Sequence, residues 1–130
     1  MKNDLKEIKL RVEKLRKAQR LFELYRKDMV TDRDKAGAVQ AFEFSYELAW
    51  KTMKKVLEER GQKTGSPKDT FRKALEEGLI DDPELWFDFQ EKRNLTVHTY
   101  ELACVDLVLH DFDLFSRELQ ILIQRLGELV

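Results

Sequence analysis

TDRDKAGAVQAFEFSYELAWKTMKKVLEERG, residues 31–61, is the stretch whose reading decides the fold. Thr31-Asp32-Arg33-Asp34 supplies capping side chains for the free N–H groups at a helix start, where negative charge is also favoured. Gly61 closes it, because glycine reaches the left-handed conformation that helix ends often adopt. In between, Phe42, Tyr46, Met53 and Leu57 form one apolar stripe, and Phe44 with Leu48 forms a second. A helix from about 32 to 60 with two apolar stripes needs neighbours on more than one side, so it is expected to be central.

The rest of the chain follows outward. Leu5, Ile8, Val12, Leu15, Phe22 and Met29 recur at helical spacing and predict a first helix over about 4–29. Ser66-Pro67-Lys68-Asp69 combines a capping serine, a proline at the first helical position and an acid three residues after the cap, which starts a short third helix that Gly78 stops. Asp82-Pro83-Glu84 opens a fourth in the same way, running towards His98. A fifth is expected from near Glu101 almost to the C-terminus, on Leu102, Val105, Leu109, Phe112, Phe115, Leu119, Leu122 and Leu126.

With 130 residues, the chain is read as a single domain over 1–130. Two prolines and five glycines leave too little turn chemistry for a multi-stranded fold, so the reading is all-α. The expected architecture is an antiparallel up-and-down helical bundle of four to five helices, with the short third helix as a crossover. Leu85-Trp86-Phe87-Asp88-Phe89 puts apolar side chains around more than one side of the fourth helix, more than a small monomer is expected to cover. This predicts a homodimer with the segment at or near the interface. The alternative is an aromatic cluster wholly inside one core.

The 24 Lys/Arg and 25 Asp/Glu are unevenly spread, the first half basic and the last two fifths acidic. Such polarity suits a nucleic acid or charged partner, but interspersed charge on long helices more commonly serves solubility. No apolar run at the start reads as a signal peptide and none approaches a membrane span, so a soluble, cytoplasmic protein is expected. Cys104, the only cysteine, gives no metal-site spacing. No cofactor or metal is expected.

Reactive side chains converge in Arg93-Asn94-Leu95-Thr96-Val97-His98-Thr99-Tyr100. Five residues apart, Arg93 and His98 stand roughly 140° apart round a regular helix. A helix fraying near Thr99 would let the imidazole swing towards the arginine. Arginine's planar fork binds phosphate, and histidine gives or takes a proton near neutrality. RNA carries its own nucleophile in the 2′-hydroxyl, so the economical chemistry is metal-free transesterification of RNA. Each residue also has an ordinary reading. His98 would bond helix-end carbonyls, Arg93 would pair with Glu91 or Asp88, and Asn94 would cap or break the helix. Tyr100 would bury its ring and leave its hydroxyl wet. Glu43 or Glu47 would orient Arg93 if helices two and four pack together, although Glu47 is equally placed for a surface pair with Lys51, the more ordinary expectation.

In context, Arg93 to His98 resembles the R-x-x-x-x-H signature of HEPN domains, with Asn94 in the polar second place. His98-Thr99-Tyr100 is similar to the H-x-Y extension of members paired with a minimal nucleotidyltransferase. Phe42-Glu43-Phe44-Ser45-Tyr46-Glu47-Leu48-Ala49-Trp50-Lys51 resembles the second-helix block of the branch called nucleotidyltransferase substrate-binding proteins. The resemblance covers nearly all of residues 36–126. It implies a homodimeric bundle, similar to toxin–antitoxin components, in which the motifs of two subunits face each other across a cleft. It further implies a metal-independent endoribonuclease with Arg93 and His98 catalytic and Asn94 supporting them. Tyr100 would accept AMP from a cognate minimal nucleotidyltransferase, which would neutralise the nuclease. The alternative it leaves open is a non-catalytic subunit that presents substrate to the nucleotidyltransferase.

Overall fold

A computed structural model describes residues 2–130, with side chains from Leu5 onward. Its helices are α1 (Lys2–Lys27), α2 (Asp32–Glu59), α3 (Pro67–Glu76), α4 (Pro83–Leu95), α5 (Leu102–His110) and α6 (Phe112–Leu129). A 3-10 turn at Thr96–His98 follows α4, and there is no strand among the described residues. The chain is an all-α bundle, and none of these helices is long and apolar enough to cross a membrane.

The helix ends fall where the capping chemistry put them. Thr31 and Asp34 form a reciprocal capping box: the Asp34 N–H donates to Thr31 Oγ1 at 3.1 Å, and the Thr31 N–H donates to Asp34 Oδ2 at 2.9 Å. Ser66 and Asp82 cap α3 and α4, each followed by proline. Gly61 and Gly78, at φ 79° and 75°, take the left-handed conformation just past α2 and α3.

Ion pairs define the topology. Glu7, early in α1, meets Lys55, late in α2, at 3.3 Å, so these two helices are antiparallel. Arg26 at the end of α1 meets Asp113 at the start of α6 at 2.6 Å, so α6 also runs against α1. Asp81, just before α4, meets Arg125 near the end of α6, which sets α4 against α6. The result is up-down-up-down, with α3 as the crossover between α2 and α4. α2 packs against every other helix and is the central one.

The core is strongly aromatic. Phe115 stands edge-on to Phe22, Phe42, Trp86 and Phe89, with ring centroids 4.8–6.0 Å apart. Phe42, Tyr46, Met53 and Leu57, the first stripe of α2, are all buried, and Phe44 and Leu48 are partly so. Trp86 and Phe89 lie wholly in this core, while Phe87 packs on Phe71 with Lys68 and Arg72 over its ring. The aromatic segment is thus accommodated within one chain, and its apolarity does not by itself require a partner. Leu5 and Leu102, read as parts of inward stripes, are instead 54% and 69% exposed at the outer ends of their helices.

The expected single fifth helix is two. It breaks at Asp111, where the backbone turns through φ −93°, ψ 3°. The Asp111 carboxylate is nearly buried and meets Lys92 Nζ of α4 at 3.2 Å. A buried carboxylate is costly unless paired. Bending the chain here brings the charge to its lysine while Phe112 still reaches Phe22 and Phe42.

Candidate functional site

The candidate site is assembled where α4 gives way to its 3-10 turn. Thr96, buried at this junction, donates its hydroxyl proton to the Arg93 carbonyl at 2.6 Å and accepts from Arg93 Nη1 at 3.1 Å. One side chain thereby closes an end carbonyl of α4 and holds one terminal nitrogen of the guanidinium. Beyond it the tighter 3-10 winding changes the angular phase of the following residues, so the helical spacing of Arg93 and His98 no longer sets their directions.

Arg93 does not turn to Asp88 or Glu91 on its own helix. It reaches across to α2, with Nε 3.4 Å from Glu47 Oε1 and Nη1 3.9 Å from Glu43 Oε2. Glu47 also makes the expected pair with Lys51, at 3.8 Å, and accepts the Trp50 indole N–H at 3.2 Å. Glu47 therefore contacts Lys51 on its own helix and Arg93 across the helix pair. Among the described residues, Arg93 Nε is buried and paired by charge but has no hydrogen bond of good geometry, and the Tyr46 hydroxyl is likewise buried without a partner. Burial holds that phenol neutral well above its ordinary range, and the nearby Glu47 charge adds to the effect while Arg93 opposes it. Beside these groups lies an open groove of about 440 Å³ lined by Gln40, Glu43, Phe44, Glu47, Leu48 and Arg93.

His98 belongs to a different contact. Its Nδ1 lies 3.0 Å from the Tyr100 hydroxyl, the rings edge-on at 5.7 Å, and both residues are exposed. It bonds no helix-end carbonyl. Tyr100 is 75% exposed, which excludes the reading of a buried ring. It lines a second groove, of about 250 Å³, with Lys35, Val39, Leu102, Val105 and Asp106. Asn94 is exposed. Within one chain Arg93 and His98 make no contact with each other: the first faces α2, the second faces Tyr100. Thr96 is the site residue that sequence reasoning passed over. A threonine three places after an arginine at a helix end was its only signal.

A helical bundle presenting an R-x-x-x-x-H-x-Y segment at the exposed end of its fourth helix defines the class of protein. The chain belongs to the nucleotidyltransferase substrate-binding protein-like family, which matches residues 4–128. A Haemophilus influenzae protein named as a probable ribonuclease HepT is 38% identical over 98 residues, covering 72% of this chain and 67% of that protein. A Haemophilus influenzae crystal structure, described as revealing the fold of a substrate-binding domain of a nucleotidyltransferase, superposes with a TM-score of 0.71 at 31% identity. It covers 95% of this chain and 98% of its own. A crystal structure from Thermus thermophilus superposes with a TM-score of 0.80 at 28% identity, over 86% of this chain and 98% of its own.

Proposed function

We propose that this chain is a HEPN-type, metal-independent endoribonuclease that acts through Arg93 and His98, with Asn94 in support. Its cognate minimal nucleotidyltransferase neutralises it by transferring AMP to Tyr100. The observation that carries the proposal is the 3.0 Å contact between His98 Nδ1 and the Tyr100 hydroxyl on an exposed turn. A proton-transferring imidazole and a modifiable phenol thus occupy one spot, open to both RNA and a second protein.

In the reaction, a base takes the 2′-hydroxyl proton as the 2′-oxygen forms its bond to phosphorus. The bond to the 5′-oxygen breaks, and that oxygen takes a proton from an acid. Arg93 stabilises the negative charge that builds on the non-bridging oxygens. Base and acid act on opposite sides of the phosphorus, and each chain brings one motif histidine. A homodimer with the two motifs facing across a cleft supplies both, together with a pair of guanidinium groups. An adenylate on Tyr100 adds bulk and a negative charge beside His98, where RNA phosphate must enter. Support from the relatives lies in the probable ribonuclease named among them.

The second reading is a non-catalytic subunit that presents substrate to the nucleotidyltransferase. It is favoured by the two carboxylates around Arg93, which offset the charge a phosphate would seek, and by the description of the family. Inducing the wild type and His98→Ala without the nucleotidyltransferase decides between them. Growth arrest with RNA cleavage in the wild type alone supports the nuclease; equal harmlessness supports the presenting subunit.

A further inference from the structure

Glu47 has more partners than a surface ion pair requires. Trp50 and Lys51, three and four residues further along α2, both engage its Oε2, and Oε1 is left to meet Arg93 Nε across the α2–α4 contact. On the other side of the guanidinium, Thr96 accepts from Nη1. A guanidinium is planar, so the Thr96 bond at Nη1 and the Glu47 charge 3.4 Å from Nε, a contact without hydrogen-bond geometry, together favour one orientation of its plane. Nη2 makes no hydrogen bond among the described residues. Glu43 stands further off at 3.9 Å, beyond hydrogen-bond range.

We infer that Glu47 is the positioning residue of Arg93: a carboxylate braced by Trp50 and Lys51 sets the direction in which the guanidinium meets the scissile phosphate. The inference rests on the proposed nuclease for the phosphate, and on the contacts of this chain for the orientation. Glu47 touches no substrate in this scheme. It acts through Arg93, at the cost of lowering the local positive charge, and so contributes to the rate of the chemical step more than to RNA affinity.

The test compares wild type, Glu47→Gln, Glu47→Asp, Arg93→Ala and the Glu47→Gln/Arg93→Ala double variant on a fluorescent single-stranded RNA. Glu47→Gln keeps the shape and removes the charge. It is expected to lower kcat by about tenfold or more, since misdirecting a positioned group costs rate, with KM changed much less. Glu47→Asp should recover part of that loss. In the Arg93→Ala background, removing the Glu47 charge should change nothing further, whereas a loss of equal size with and without Arg93 overturns the inference. A second measurement is independent of cleavage. The Arg93 Nε–Hε signal in proton–nitrogen spectra should stand apart from those of exposed arginines in the wild type and join them in Glu47→Gln. An unmoved signal overturns the inference even if RNA is cut. A wild type that cuts no RNA sinks the nuclease proposal, and the Arg93 signal then decides alone whether Glu47 orients the guanidinium.

Discussion

Lys92 and Asp111 form the contact that bends the C-terminal half of the chain, Nζ to Oδ2 at 3.2 Å, with 19% and 12% of their side chains exposed. Removing the carboxylate leaves the Lys92 ammonium with little solvent and no ion-pair partner among the described residues. Asp111→Ala is therefore expected to cost about 3 kcal/mol in urea unfolding. The paired replacement Lys92→Met/Asp111→Leu should recover much of it. A loss below about 0.5 kcal/mol for the single variant would show that the bend does not depend on the pair.

Phe115 is the ring on which α1, α2 and α4 converge. Truncation to alanine removes four aromatic contacts and opens a cavity that the surrounding helices can only partly close, so Phe115→Ala should lose about 3–5 kcal/mol. Leu24→Ala, at a position 60% exposed, should stay within about 0.5 kcal/mol of wild type. Denaturant midpoints with an unchanged slope would check both.

Acid sensitivity has an identifiable contributor in Asp34. Its carboxyl is held below its ordinary value of 3.8, first by the Thr31 N–H, then by the Thr31 side chain, with the Val30 N–H adding to them. A depressed folded-state value adds stability above the unfolded value, and that stability disappears as pH falls through the folded one. Asp34→Asn should lower stability at neutral pH and flatten its decline from about pH 4 downward. If both proteins lose stability in parallel over that range, Asp34 is not the source.

The proposed modification of Tyr100 can be read by mass. Under the proposed function, incubation with a cognate minimal nucleotidyltransferase, ATP and magnesium should add adenylate to the wild type and none to Tyr100→Phe, and the adenylated chain should no longer cleave RNA. Adenylate retained by the phenylalanine variant would place the acceptor elsewhere.

Two facing motifs require two chains. Light scattering at micromolar concentration should give twice the chain mass of 15.5 kDa. A monomeric mass would remove the second histidine from the proposed mechanism.

What the sequence made legible was local. Thr31, Ser66-Pro67, Asp82-Pro83, Gly61 and Gly78 mark helix ends through chemistry within four residues of each end, and all five proved correct. The break at Asp111 stayed hidden because Leu109, Phe112 and Phe115 keep helical spacing across it, and because the lysine that stabilises it lies on another helix. The aromatic segment of α4 suggested a surface in need of cover, since Phe71 and Phe115 are remote in sequence from Trp86 and Phe89. At the candidate site, the proximity of His98 and Tyr100 follows from adjacency along the chain. That Arg93 chooses Glu47 over its own helix depends on the packing of α2 against α4, which spacing alone does not reveal.

Lys92 and Arg93 are consecutive residues pointing to different neighbours, one to the bend at Asp111 and the other to α2. Whatever loosens the bend therefore slackens the grip on the guanidinium one peptide unit away. If the chain cuts RNA as proposed, heat, a protease or a mutation that frees the C-terminal segment should end cleavage before the bundle as a whole comes apart, giving inactivation at a lower temperature than melting.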